Sequence, residues 1–365
     1  MIAEIRPLDT LFFKDGKPFS RGDETWADGV FPPYPSVVYG ALRTWFISQD
    51  PGGFSKDTLD KSKEITINQI CYEFGQDEVQ IPMPLDLAEP KDKPTLKRDE
   101  EKIKKEYEVV GLIPEMIENT VSNYPCKMAL MPPIERLIEE VEQGFLAKSA
   151  LITYLNTPDA DFSVRKLADV VQTEPKVGIG RNYFTNAINE SMLYRVGMRR
   201  VPSFRLLVDF DLPGGATVAP EASYFIKLGA ENKVAEIQVI SSKKTKIASD
   251  NIKLKSRRFK LYLATPAIFI KNGWYPDLIA HNINATLVAA AIGKPLHIGG
   301  FDMKNNSPKT MFKAVPAGSV FFYEAAESEN METLKESLFG KSVSEEFPEE
   351  KMKNQGFGIA YVGNW

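Results

Sequence analysis

Residues 318–340, GSVFFYEAAESENMETLKESLFG, read as a strand, an acidic connection and a short helix closed by Gly340. Working outward, GFGIAYVG (356–363) gives a final strand and RFKLYLATP (258–266) an earlier one. Between the earlier strand and Gly318, the apolar run LIAHNINATLVAAAIG from Leu278 predicts a core helix over 278–292 that ends at Gly293. Strand, helix, strand, helix, strand is the order of a split βαβ unit of ferredoxin-like type.

The first half fits the same plan with more interruptions. MIAEIRPL alternates as a strand, and LDTLFF ends at KDGKPF, where Asp15-Gly16 is a hairpin-type turn signal. FPPYPS leads into SVVYGALRTWFISQ, whose Val37, Val38, Ala41, Leu42, Trp45 and Phe46 recur at helical spacing, with Ser36 as the expected N-cap after Pro35. PPIERLIEEVEQG predicts a second helix, with Ile134, Leu137, Ile138 and Val141 on one face and Gly144 past its end. EYEVVGLIP, FRLLVDFDLPGG, SYFIKLG and AEIQVIS read as strands, and Lys91 to Glu108 as a charged, solvated insertion. EPKVGIGRNYFTNAINESMLYRVGMRRV predicts a hairpin, near 177–197, with a polar tip near Asn186 to Glu190. The expected fold class is α+β, with two ferredoxin-like domains carrying insertions. The expected division is 1–202 and 203–365, without an internal sequence repeat.

Composition narrows the function. The 365 residues carry 45 Lys and Arg against 49 Asp and Glu, a net charge of -4, so a free nucleic-acid binder is not the plain reading. The charge is uneven, however. Lys243 to Lys260 is strongly basic, Arg195, Arg199, Arg200 and Arg205 form a second basic cluster, and Glu139 to Gln143 and Glu324 to Glu336 are acidic. A basic face on an acidic chain suits a subunit that meets RNA on one side and protein on another. No signal-peptide pattern opens the chain and no apolar run reaches the roughly 20 residues of a membrane helix, so no membrane partner and a cytoplasmic location are expected. Cys71 and Cys126, far apart, read as buried thiols in a reducing compartment.

The search for reaction chemistry finds little. His281 and His297 lack the spaced partners a metal site needs, so no metal and no cofactor are expected. Asp9, Asp15, Asp23 and Asp28 sit in turn contexts, where Asp caps backbone rather than doing acid–base work. What remains are three glycine-bounded segments with polar or basic neighbours: VGIGRN (177–182), LHIGGFDMKNNSPK (296–309) and NQGFGIAYVG (354–363). Glycine lets a backbone approach and present N–H groups to phosphate oxygens, although a turn or bulge is the commoner use. Tyr183 and Phe184 could stack on bases. Composition and spacing alone accommodate an RNA-binding module and a structural subunit equally.

Whole phrases then carry a resemblance. RPLDTLFFKDGKPF with FPPYPSVVYGALRTWF, EPKVGIGRNYFTNAINESMLYRV, LYLATPAIFIKNGWYPD, IGGFDMKNNSPKTMFKAVPAGSVFFYE and QGFGIAYVG resemble, in order and over nearly the whole chain, the third subunits of the Cmr (type III-B) CRISPR effector complex, within the RAMP superfamily. LGAENK (228–233), Asn182 and Phe301 depart from that pattern. The resemblance implies two RRM-related RAMP domains and no enzymatic activity. It also implies binding of the 5′ repeat-derived handle of the crRNA, with docking onto the large polymerase-like subunit beside a neighbouring RAMP backbone subunit, and only indirect contact with target RNA. The RNA-binding candidates are Arg21, Arg43, Gly178, Arg181, Asn182, Tyr183, Gly299, Gly300, Lys309, Gly356 and Gly358. The acidic 324–350 region is the expected partner-docking surface. The alternatives are a RAMP-type crRNA-processing endoribonuclease, which would need a base and an acid near the first helix where no histidine stands, and a purely architectural subunit.

Overall fold

The structure, a computed structural model, describes residues 1–14, 26–50, 55–75, 78–91, 106–118, 125–133, 137–157, 160–181, 188–220, 222–241, 245–302, 306–347 and 350–365. The chain opens with β1 (Ile2–Pro7), β2 (Trp26–Asp28) and α1 (Pro35–Ser48). Pro35 takes the first helical position, where its missing N–H costs nothing, and Val38, Ala41, Leu42 and Trp45 are buried. The N-cap is Tyr34 without a side-chain hydrogen bond, so Ser36 lies inside the helix. A short α2 (Lys56–Lys61) follows, capped by the Ser55 hydroxyl, which accepts from the Thr58 N–H at 3.2 Å.

Next come β3 (Thr66–Phe74), β4 (Gln80–Pro82), β5 (Leu87–Lys91), β6 (Tyr107–Gly111), β7 (Ile113–Met116), β8 (Met128–Met131), β9 (Leu137–Glu140), β10 (Gly144–Ala147), α3 (Lys148–Asn156) and β11 (Phe162–Lys166). The hairpin β12 (Gln172–Arg181) and β13 (Ile188–Arg200) leads to β14 (Phe204–Asp211), β15 (Ser223–Lys227) and β16 (Val234–Ile240). One sheet runs β15-β16-β1-β14-β3-β4-β10-β11-β6-β5-β9 among the described residues. The division anticipated at 202/203 falls inside it, because β14 pairs with both β1 and β3 and β16 pairs with β1. The predicted helix around 134–143 is a correction: residues 134–136 lie outside the described residues, and Leu137–Glu140 is the strand β9 on β5. Pairing overrides the helical preference of Leu and Glu, and Leu137 is left 63% exposed rather than buried on a helix stripe.

The second half contains β17 (Arg258–Leu263), β18 (Ala285–Ala291), β19 (Leu296–Ile298), β20 (Phe301–Asp302), β21 (Ser307–Pro308), β22 (Phe312–Ala314), β23 (Val320–Ala325), α4 (Met331–Leu338), β24 (Lys341–Ser342) and β25 (Ile359–Asn364). Its sheet runs β18-β23-β17-β25-β24. The helix predicted over 278–292 is a second correction. Only one 3-10 turn forms, Leu278–His281, and Asn282 ends it in the left-handed region at φ 58°. Ala285–Ala291 is then drawn into a ladder with β23, with a register shift between Leu287 and Ala289. Alanine favours a helix locally, but an isolated short helix is marginal and the neighbouring strand supplies a cooperative alternative.

Within each half the strands stand in one order. Fourth lies beside first, first beside third and third beside second: β16-β1-β14-β3 and β25-β17-β23-β18, all neighbours antiparallel. The halves keep opposite helices. The first crosses over through α1 and links its third and fourth strands without an α-helix among the described residues, while the second crosses over through a 3-10 turn and later through α4.

The helix α1 packs Val38, Leu42 and Trp45 onto Ala3, Ile5, Leu206, Val208, Ile237 and Val239. The opposite face of the same sheet, with Cys71 and Leu207, shares a core with Tyr262, Val288, Phe322 and Ile359 of the second sheet and with Leu151 and Tyr154 of α3. A polar group closes this shared core. The Tyr154 hydroxyl lies 2.7 Å from both carboxylate oxygens of Asp86, and the Lys260 ammonium sits 3.2 Å from the Tyr154 ring centroid. Burial pushes the Asp86 carboxyl up and the nearby Lys260 charge opposes it.

Candidate nucleic-acid interface

Three motifs that are distant in sequence meet in one small core. Tyr34 and Val37 come from the start of α1. Ile298, Phe312 and Ala314 come from the ribbon β19–β22, and Phe347, Met352 and Phe357 from the segment leading to β25. The Phe312 and Phe347 rings lie 4.0 Å apart between centroids, clamping that segment to the ribbon.

The ribbon's alternation decides what it shows to solvent. The pairs Leu296↔Ala314 and Ile298↔Phe312 face the core, so the pair between them, His297↔Lys313, faces out. Further along, β20 pairs with β21, and the Lys309 N–H donates to the Gly300 carbonyl at 2.9 Å. Gly300 is exposed, Gly299 half-buried, and Phe301 and Met311 expose 50% and 43% of their surface. Lys309 reaches the Glu350 carboxylate at 2.5 Å, and the Gln355 side-chain amide donates to that carboxylate's other oxygen at 2.8 Å.

Beside the ribbon lies a groove of about 510 Å³, lined by Phe31, Tyr34, Gln143, Thr173, Arg199 and His297 among others. Arg199 braces it. Its guanidinium donates to the Gly29 carbonyl at 2.8 and 3.2 Å and to the Thr173 hydroxyl, while its backbone exchanges hydrogen bonds with Leu11. The base of the β12–β13 hairpin is thereby fixed to the turn before α1.

The other expected residues fall in three places. Arg43, on α1, is half-buried; its Nε donates to the Ser62 hydroxyl at 3.1 Å and its guanidinium lies 5.8 Å from the Tyr39 ring centroid. Burial pushes the Tyr39 hydroxyl up to about 12, Arg43 opposes that rise and Glu350 adds to it, so α1 and the ribbon's counter-ion share one electrostatic neighbourhood. Gly178 pairs with Tyr194 inside the hairpin. Arg21, the Arg181 side chain, Asn182, Tyr183 and Phe184 lie outside the described residues. Gly356 and Gly358 are buried, with φ of 85° and 72°, and their backbone faces protein: Ile67 on one and Ser344 on the other. They shape the segment rather than forming its surface. The structure thus gathers Gly299, Gly300 and Lys309, leaves Arg43 bonded to Ser62 on α1, and adds His297, Lys313, Gln355 and Glu350. Only the strand alternation of LHI and FKA could have singled out His297 and Lys313.

The basic runs read from sequence behave differently. Lys260 is 1% exposed. Arg200 is engaged by Glu174 and Asp9, and Arg205 by Glu4 and Glu73. Lys233 holds Asp9 at 2.6 Å, and that hydrogen bond lowers the Asp9 carboxyl below its ordinary value. Among the described residues, no group of three or more His, Cys, Asp or Glu is placed to hold a metal ion. No helix among them is long and apolar enough to cross a membrane. Cys71 and Cys126 are both buried, and neither forms a disulfide.

Fold and surface together define a strand-rich α+β protein whose ribbon exposes Lys309 and Lys313 next to a braced groove. The family model for the CRISPR-associated protein Cas_Cmr3 matches residues 3–365, and the chain belongs to that family. No curated protein matches it. Among solved structures, it is similar to a chain of the type III-B Cmr-beta complex bound to cognate target RNA and AMPPnP, state 1. Identity is 17%, the TM-score 0.48, and 88% of this chain and 86% of that chain are covered. A chain of the same complex bound to cognate target RNA gives 17% and 0.47 with the same coverage. A chain of the Csm3–Csm4 subcomplex of the type III-A interference complex gives 12% and 0.37, over 89% and 97%.

Proposed function

We propose that this chain is a non-catalytic crRNA-binding subunit of a type III-B Cmr ribonucleoprotein in antiviral, RNA-guided defence. It holds the 5′ repeat-derived handle, docks the large polymerase-like subunit and adjoins a RAMP backbone subunit, in the cytoplasm. Membership of the Cas_Cmr3 family supports the setting. The repeated fourth-first-third-second strand order supports reading each half as a ferredoxin-like, RRM-related unit. The observation that carries RNA contact is the ribbon, which turns His297 and Lys313 outward beside Gly300 and Lys309.

Backbone contact by lysines such as Lys309 and Lys313 gives affinity without sequence information, while splayed bases of a single strand supply the reading. In this reading the β12–β13 hairpin, which Arg199 ties at its base to Gly29, is the thumb against the guide–target duplex. Photocrosslinking of crRNA in the assembled complex tests this function. Crosslinks from the handle to residues 294–314 are expected, and a handle that crosslinks only to other subunits sinks the proposal. Purified chain incubated with repeat RNA without metal should leave it intact, and specific cleavage would favour the endoribonuclease alternative.

A further inference from the structure

The Glu350 carboxylate sits where an anion from outside would be expected. One oxygen is 2.5 Å from the Lys309 ammonium and the other accepts from the Gln355 side chain at 2.8 Å. Gln355 is 8% exposed and cannot follow Glu350 away, whereas Lys309 exposes 41% of its side chain and Glu350 23%. Lys309 runs across Gly300, with its Cδ 3.4 Å from where a Cβ would stand, so the lysine lies flat on the ribbon. Among the described residues, the neighbouring pair His297↔Lys313 has no such carboxylate partner, nor does the exposed Lys294.

We propose that Lys309, Gln355 and the Gly300 turn form a phosphate site that Glu350 fills while no nucleic acid is bound, and that a phosphodiester of a bound single strand displaces the carboxylate. This rests on the RNA-binding reading above. The exchange replaces one anion by another, so the count of charges around Lys309 is unchanged. A partly exposed ion pair is weak enough to yield. Lysine suits the role because its ammonium is a mobile point charge rather than a fixed fork. Gln355, held below, donates the same N–H to either acceptor oxygen.

The test compares full-length wild type, Glu350→Gln, Lys309→Met and the double variant for binding of a labelled mixed-sequence single-stranded RNA, with inorganic phosphate as competitor. Thermal unfolding of each variant serves as the control for folding. Glu350→Gln should bind about threefold tighter and Lys309→Met about threefold weaker. In the Lys309→Met background the Glu350 change should have no effect. A gain from Glu350→Gln that persists without Lys309 overturns the site, since it reports only the loss of a negative charge. Wild-type binding that Glu350→Gln leaves unchanged or weakens overturns it too, and leaves the handle-binding reading standing. Absence of RNA binding by all four at low salt also overturns the site, and the crosslinking experiment on the assembled complex then decides the wider reading separately.

Discussion

The segments 354–363 and 296–314 look alike as sequence, each with closely spaced glycines among polar neighbours, yet the first is almost wholly buried while the second exposes Gly300, Phe301, Lys309, Met311 and Lys313 among its described residues. In the first, the glycines admit protein. A Cβ on Gly358 would stand 2.5 Å from the Ser344 nitrogen, and one on Gly356 2.8 Å from an Ile67 methyl. In the second, a Cβ on Gly300 would meet only the flexible Lys309 stem at 3.4 Å. Glycine spacing therefore reports close approach without saying what approaches. Only the neighbours that the fold brings in distinguish packing from a surface that can take a ligand.

This contrast can be broken by substitution. Gly358→Ala should cost the most, about 3 kcal/mol, because left-handed strain adds to collision with a rigid backbone. Gly356→Ala should cost about 2 kcal/mol, since the Ile67 side chain can shift in part. Gly300→Ala should stay within about 0.5 kcal/mol. Denaturant unfolding of the three variants checks the order, and a Gly300→Ala loss as large as that of Gly358→Ala would erase the distinction.

Lys309→Met sharpens it from the other side. Stability should change by less than about 0.5 kcal/mol, while the slope of log affinity for single-stranded RNA against log salt becomes shallower by about 0.7. A separate effect, confined to alkaline pH, is expected at Tyr39, where α1 adjoins the Glu350 neighbourhood. Its hydroxyl rises from an ordinary value near 10 to about 12 in the folded chain. A raised folded value means that this stability is present below pH 10 and lost as pH climbs through about 12. Tyr39→Phe should therefore lose stability less steeply over that window, as read by alkaline unfolding monitored by circular dichroism.

Local patterns were legible where the local preference and the final neighbours agree. The α1 stripe, the Gly340 stop after α4 and the strands at 204–211, 320–325 and 359–364 are of that kind. They were misleading at 137–140 and 285–291, where good helix formers were recruited by neighbouring strands. The site divided in the same way. Lys309 and Gly300 could be picked out from their composition, but Glu350 is 41 residues away and Gln355 further still, so the anion site had no local signal.

Sequence by itself determined the α+β class, the family and the glycine and proline positions where the chain must turn, because these depend on each residue's own backbone freedom and on ordered motifs. Tertiary structure alone decided which glycines are buried, which basic residues are neutralised and which stay exposed. Those outcomes are set by distance in space. The Coulomb and packing energies that separate a buried Lys260 from an exposed Lys313 come from partners the chain brings together only on folding.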